Sequence, residues 1–222
     1  MTKVDKSFIA KIRDRIMFAS RENKINQFYS LCSGREKILD VGVASEHKAG
    51  VAASNYFLKA FRFAPEQYTG LAIQNMDGMD KLFPGKHFVQ YDGEKFPFDN
   101  MAFDRVFSNA VIEHVGDDAK QLFFLKEMLR VGNVVYFTTP NKFFPIETHT
   151  FVPFLHWNNN LFYGWCKKFR PFFNQDTLYL FSYNRLEKLL KLSGCASYKI
   201  IRNRFAGIPM TYTVICNSLV IE

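Results

Sequence analysis

The chain has 222 residues, 48% of them apolar and 17% aromatic, which suits one α/β domain with a sizeable core and excludes a disordered chain. Its four cysteines (Cys32, Cys166, Cys195, Cys216) form no C-x-x-C pair, which speaks against a zinc or thioredoxin-like motif and for free thiols in a reducing cytoplasm. Net charge is +8 but uneven, at +5 over residues 1–37, −3 over 38–159 and +6 over 160–222, so the basic flanks favour an anionic partner.

In chain order, residues 4–19 and 21–32 carry Phe8, Ile9, Ile12, Ile16, Ile25, Phe28 and Leu31 at helical spacing, and predict two amphipathic helices ending near Ser33-Gly34. No signal-peptide core follows the basic start, so secretion is not expected. No run approaches the ~20 apolar residues of a membrane span. Lys37–Val43 then reads as a buried strand: Ile38, Leu39 and Val41 are apolar, Asp40 interrupts them, and Gly42 supplies a tight turn. A helix is predicted over 52–63, stopped before Pro65.

Further strands are predicted over Tyr68–Ile73, His87–Tyr91, Phe103–Ser108 and Val131–Thr138, with a helix over Asp117–Arg130. Strands alternating with helices at this spacing make a mainly parallel sheet covered on both faces. Phe143–Phe173 is dense in Phe, Trp, Pro and His without clear periodicity, and reads as an acceptor-side lid. Ser182–Leu192 is a helix with Ser182 as N-cap and Gly194 beyond its end, and Ser197–Arg202 and Tyr212–Ile221 close the sheet, the last antiparallel. The expected organisation is one domain: N-terminal helices over 1–34, a core over 35–141, a lid insertion over 142–180, and a closing helix and strands over 181–222.

The turns after the first four strands all leave carboxyl ends, where open α/β sheets bind ligands. ILDVG (38–42), FVQYDGEKFPFDNMAFDRVFSNAVIEHV (88–115) and TTPN (138–141) together resemble the class I, Rossmann-like S-adenosylmethionine-dependent methyltransferases, specifically the methyltransferase type 11 family. The resemblance implies a seven-stranded, mainly parallel sheet with one antiparallel strand, and S-adenosylmethionine as cofactor. By the same resemblance Asp40 and Gly42 border its methionine and ribose parts. Ala44 belongs to the same loop, at the second glycine of the family pattern D-x-G-x-G-x-G; the third is Glu46. Asp92 meets the adenine amino group with Gly93 beside the ring, and Asn109 and Ala110 line the sulfonium.

Ala72 stands where the family carries a ribose-binding acid, so that contact stays open between Gln74, Asn75 and Asp77. Ala110 stands where metal-binding relatives carry an extra carboxylate, so no metal is expected. Methyl transfer asks for alignment and, for an acidic hydroxyl or amine, a base. His149, then His156 and His114, are the candidate bases. The expected function is methyl transfer to a small-molecule or lipid/glycan-precursor acceptor, in the cytoplasm. Phe143, Phe144, Phe151, Phe154, Trp157, Phe162 and Trp165 are candidates to line an acceptor pocket, and the basic, aromatic run 167–173 (KKFRPFF) is a candidate peripheral membrane contact. The competing readings are a nucleic-acid methyltransferase, disfavoured because SNAV follows strand four, and a scaffold or membrane-surface module that has lost its cofactor, suggested by Glu46 and Ala72. No G-x-G-x-x-G follows the first strand, which speaks against a dinucleotide oxidoreductase.

Overall fold

A computed structural model describes residues 3–45 and 55–218, with the side chains of 3–14 and of residue 16 left out. Glu46, His47, Lys48 and the start of the 52–63 helix lie outside these residues. The elements are α1 (Lys3–Tyr29), β1 (Ile38–Val41), α2 (Tyr56–Lys59), β2 (Tyr68–Ala72), α3 (Met79–Leu82), β3 (His87–Gln90), β4 (Phe103–Asn109), α4 (Asp118–Val131), β5 (Gly132–Pro140), α5 (Asn159–Phe169), α6 (Tyr183–Ser193), β6 (Ser197–Phe205) and β7 (Ile208–Asn217). The seven strands form one sheet of order β3-β2-β1-β4-β5-β7-β6. All neighbouring pairs are parallel except those that β7 makes with β5 and β6, so β7 alone runs against the rest.

The strand order reverses between the parallel neighbours β1 and β4, after which the chain continues to β2 on one side and β5 on the other, opening a crevice at their carboxyl ends. Alternation along β1 sends Ile38 and Asp40 to one face and Leu39 and Val41 to the other. The first face packs Ile25 and Phe28 of α1 and Phe57 and Leu58 of α2 against Tyr68, Phe107 and Tyr136. The second packs Phe124, Leu125 and Met128 of α4 and Leu186, Leu189 and Leu190 of α6 against Leu39, Val106 and Val135.

Three expectations change. The two N-terminal helices are one continuous helix, because no breaker stands between Ala19 and Lys24 to end the first. The closing strands meet in a two-residue turn at Ala206-Gly207, both left-handed (φ 47° and 79°), with an irregular register at Asn203/Arg204. β6 and β7 are therefore a longer hairpin than the predicted pair. The 143–173 region holds a regular helix, α5, whose N-cap Asn158 accepts from the Leu161 N–H. Phe162 and Cys166 of α5 pack with Leu178 and Leu180 as a small core of their own.

Candidate active site

Between β1, β4 and α1 lies a cavity of about 240 Å³, walled by Arg21, Asp40, Gly42, Val43, Asn55, Asn109 and Ala110 among others. Its backbone is forced open. Gly42 has φ +97°, and a Cβ there would stand 2.3 Å from Val111 Cγ2. Only glycine fits both the torsion and the approach. Ala110 also takes a left-handed φ of 56°, held by its N–H bond to the Thr138 carbonyl at 3.0 Å. An alanine kept in that region is local strain of order 1–3 kcal/mol, of the sort that gathers at binding sites. The neighbouring Asn109 is fixed by the Thr138 hydroxyl, which donates to its Oδ1 at 2.7 Å.

Asp40 lies under this cavity, buried, with Oδ2 accepting from the Tyr68 hydroxyl at 2.6 Å. Burial pushes its carboxyl up to about 7, with the Tyr68 bond and the more distant Lys86 cation opposing. Ala44 is clipped by Asn55, which accepts from the Ala44 N–H at 2.8 Å and donates to its carbonyl at 2.6 Å. Gln74 reaches across to the same loop and accepts from the Ser45 N–H at 3.2 Å.

The β2–β3 end of the crevice is built differently. Asp92 is exposed and accepts from the Glu94 N–H at 2.9 Å, closing its own turn. Asp77 is exposed and tied to Asn75, whose amide donates to it at 2.9 Å. Neither these two nor Gly93 walls the 240 Å³ cavity. Sequence reasoning overlooked Ile73. It is 64% exposed immediately after β2, and its Cγ2 would lie 3.8 Å from a Cβ on Gly93. It leaves a large aliphatic group in solvent beside a bare glycine at this end of the crevice. The available signal was its place directly after the Ala72 position.

A second cavity of about 220 Å³ adjoins the first, since Arg21, Asn109 and Ala110 wall both. Its remaining wall includes Lys24, Thr139, Thr148, His149 and Thr211. Lys24 is only 6% exposed. Burial pulls its ammonium down to about 8, against the attraction of Glu113 and helped by Arg21. Hydroxyls and cations, together with the apolar Met17, Pro140 and Met210 and not the expected aromatics, make this wall. Phe143, Phe151, Phe154 and Trp157 are exposed on the outside of the 142–180 segment, and Phe162 belongs to the α5 core. None of the seven aromatic candidates walls either cavity.

The three candidate bases separate. His149 walls the second cavity. Glu147, itself buried, accepts from His149 Nδ1 at 2.6 Å, from the Thr150 N–H at 2.6 Å and from the Thr150 hydroxyl at 2.7 Å. Burial alone would raise the Glu147 carboxyl, but these donors hold it down at about 2. An ionised carboxylate on Nδ1 in turn raises the His149 pKa above its ordinary value, overriding burial. His114 sits against His149, Nε2 to Nε2 at 3.2 Å, with its Nδ1 2.7 Å from the Thr177 carbonyl. His156 is 1% exposed and bonds the Phe144 carbonyl through Nε2 at 2.8 Å, outside both cavity walls. It is a packing residue of the 142–180 segment, where burial lowers its pKa. The Glu147–His149 pair was legible as E-T-H, but nothing in the sequence said that His114 would meet it.

Residues 39–134, from β1 into β5, match the methyltransferase type 11 family, described as a methyltransferase domain. Among solved structures, a SAM-dependent methyltransferase from Methanosarcina mazei aligns with a TM-score of 0.57 at 15% identity, covering 86% of this chain and 96% of that one. A SAM-dependent methyltransferase from Thermotoga maritima aligns at 0.56 and 14% identity, covering 98% and 96%. The N-terminal domain of EvdMO1, solved in the presence of SAH and D-fucose, aligns at 0.55 and 14% identity, covering 89% and 82%. At these identities the likeness concerns the fold. No curated protein matches the sequence.

Proposed function

We propose, from the premise that this chain is a class I, Rossmann-like methyltransferase drawing on S-adenosylmethionine, that it methylates a small acceptor carrying an anionic group. The observation that carries this reading is the pair of cavities meeting at Asn109 and Ala110. The cofactor supplies an electrophilic methyl on a sulfonium, and displacement there is in line, so donor and acceptor must meet end to end. Two cavities sharing one wall suit that demand.

The donor side fits the first cavity. Gly42 and Ala110 bring bare backbone to its edge, and the Asp40 carboxylate beneath can accept from an ammonium or hydroxyl. Ile73 offers an apolar surface to a purine, with Gly93 leaving the approach open and Asp92 within the same turn to accept from its exocyclic amine. On the acceptor side, Lys24 is the basis for the anionic group. An ammonium with so little exposure is costly to bury, and a carboxylate or phosphate entering the cavity offsets that cost. Arg21 lies between the two cavities and adds to the positive potential there. His149 is the histidine at that wall, oriented by Glu147, and is assigned to the acceptor's reacting group.

Two readouts test the proposal on the full-length chain. Calorimetry with S-adenosylhomocysteine is expected to give one site; a folded chain that binds none overturns the donor assignment. Transfer of a labelled methyl is then compared between carboxylate- or phosphate-bearing alcohols and amines and their uncharged counterparts. The charged set is expected to react selectively, and equal turnover of both sets removes the anionic acceptor. A lipid-linked acceptor is the second reading. It is favoured by exposed Phe169 between Lys168 and Arg170 and by exposed Phe172 two residues beyond, an arrangement suited to an anionic bilayer surface. Co-sedimentation with anionic vesicles, lost on Phe172→Ser, is its test.

A further inference from the structure

Behind the acceptor cavity the two histidines face each other in a way that a neutral protein cannot leave unfilled. The Thr177 carbonyl can only accept, so His114 Nδ1 carries its proton and Nε2 keeps a lone pair. The Glu147 carboxylate, already taking the Thr150 N–H and hydroxyl, likewise fixes the proton of His149 on Nδ1. The two Nε2 lone pairs then confront each other at 3.2 Å. Something positive belongs between them.

A third group stands ready. Glu113 is 0% exposed; its Oε2 accepts from the Thr139 hydroxyl at 3.0 Å, and its Oε1 has no hydrogen-bond partner among the described residues. One carboxylate oxygen of Glu113 and one ring nitrogen each of His114 and His149 lie within 4.8 Å of one another. We propose that Glu113, His114 and His149 form a site for a divalent transition-metal ion, zinc or cobalt by the chemistry of two imidazoles and one carboxylate.

The distances suit an ion. Two nitrogens ~2.0–2.1 Å from one tetrahedral ion stand roughly 3.3 Å apart, close to the 3.2 Å between the two Nε2 atoms. Ligands on one tetrahedral ion stand roughly 3.3–3.6 Å apart, so the three groups, which lie within 4.8 Å of one another, close by up to about 1.5 Å around it. Each histidine also gives its other ring N–H to an acceptor, Glu147 for His149 and the Thr177 carbonyl for His114, which is how metal-bound imidazoles are held. The expectation that Ala110 precludes a metal misses this, because it looks for the third ligand on the same turn. Here that ligand is His149, from the segment after β5. Two imidazoles and a carboxylate leave a fourth position open, and His149 reaches the acceptor-cavity wall. The inference rests on the acceptor-site reading for its purpose, with the ion's open position rather than the His149 ring itself meeting the acceptor's reacting group, but not for its test.

The test is titration of chelator-stripped full-length protein with Co²⁺, read by visible absorbance and calorimetry, followed by displacement with Zn²⁺. One equivalent is expected, with ligand-field bands of a low-coordinate ion that vanish when zinc is added. His149→Ala and His114→Ala are expected to weaken uptake at least 100-fold, and Glu147→Gln about 10–100-fold through the orientation of His149. S-adenosylhomocysteine affinity, measured on the same samples, reports folding and the donor site separately, and is expected to change less than threefold. Wild-type protein that binds S-adenosylhomocysteine but takes up neither ion overturns the proposal, leaving a shared proton between the rings. So does uptake that His149→Ala and His114→Ala leave unchanged. If no S-adenosylhomocysteine binds but cobalt does, the donor reading fails and the metal site stands.

Discussion

The two ends of the crevice are built to different standards. At the β1–β4 end Asp40 is buried on the Tyr68 hydroxyl, Gly42 is sterically irreplaceable, and Asn109 is pinned by Thr138. At the β2–β3 end Ala72 offers no acid, and Asp77 and Asp92 are exposed and occupied by their own turns. A rigid end presents a ligand with groups already in place, whereas an exposed end has to draw its side chains away from local partners. Affinity for a nucleoside-bearing donor should therefore be concentrated at the β1–β4 end.

Gly42→Val is the harshest way to break the contrast. It adds a clash with Val111 to a left-handed backbone, and is expected to weaken S-adenosylhomocysteine binding at least 100-fold by calorimetry while lowering the melting temperature. Asp40→Asn sharpens the contrast through pH. The Asp40 carboxyl, at about 7 in the folded chain, stands above its ordinary 3.8. The stability it contributes is therefore fully present below about pH 4 and is lost as pH rises through about 7, on the order of 2–4 kcal/mol. Denaturation of wild type and Asp40→Asn across that range should converge at low pH, with the variant gaining relatively toward pH 8. A variant whose stability tracks wild type at every pH refutes the buried carboxyl.

Lys24→Met asks the same question of the acceptor cavity. Removing a buried ammonium is expected to stabilise the free chain by about 1–2 kcal/mol at pH 7 while raising the KM for an anionic acceptor about tenfold or more. A loss of stability instead would mark Lys24 as structural. The smallest effects belong to the loose end: Gln74→Ala and Asp77→Ala should each change S-adenosylhomocysteine affinity less than threefold. A tenfold loss in either names the ribose contact and narrows the difference between the two ends.

The legible part of the molecule was the parallel core. Strands buried on both faces must be apolar along their length, so ILDV, YTGLA and the run in β5 announce themselves between turn residues. Asp40 and Gly42 were legible as a departure from that rule at a strand end. The 142–180 segment was not, because its one regular helix, α5, packs on a small core of its own away from the sheet: Phe162 is buried there while Leu161 and Phe169 are exposed. Its aromatics read as a pocket, but Phe143, Phe151, Phe154 and Trp157 are exposed and Phe162 is in the α5 core, whereas the second cavity draws on Lys24 of α1, Thr139 of β5, His149 and Thr211 of β7.

The sequence by itself determined the sheet, its strand ends and the glycine at the mouth of the first cavity, since each follows from neighbours a few residues apart. Only the tertiary structure decided that Glu113, His114 and His149 share one space, that Lys24 is buried beside it, and that His156 is not part of it. Those facts depend on contacts spanning from tens of residues to well over a hundred, which local spacing and composition do not encode.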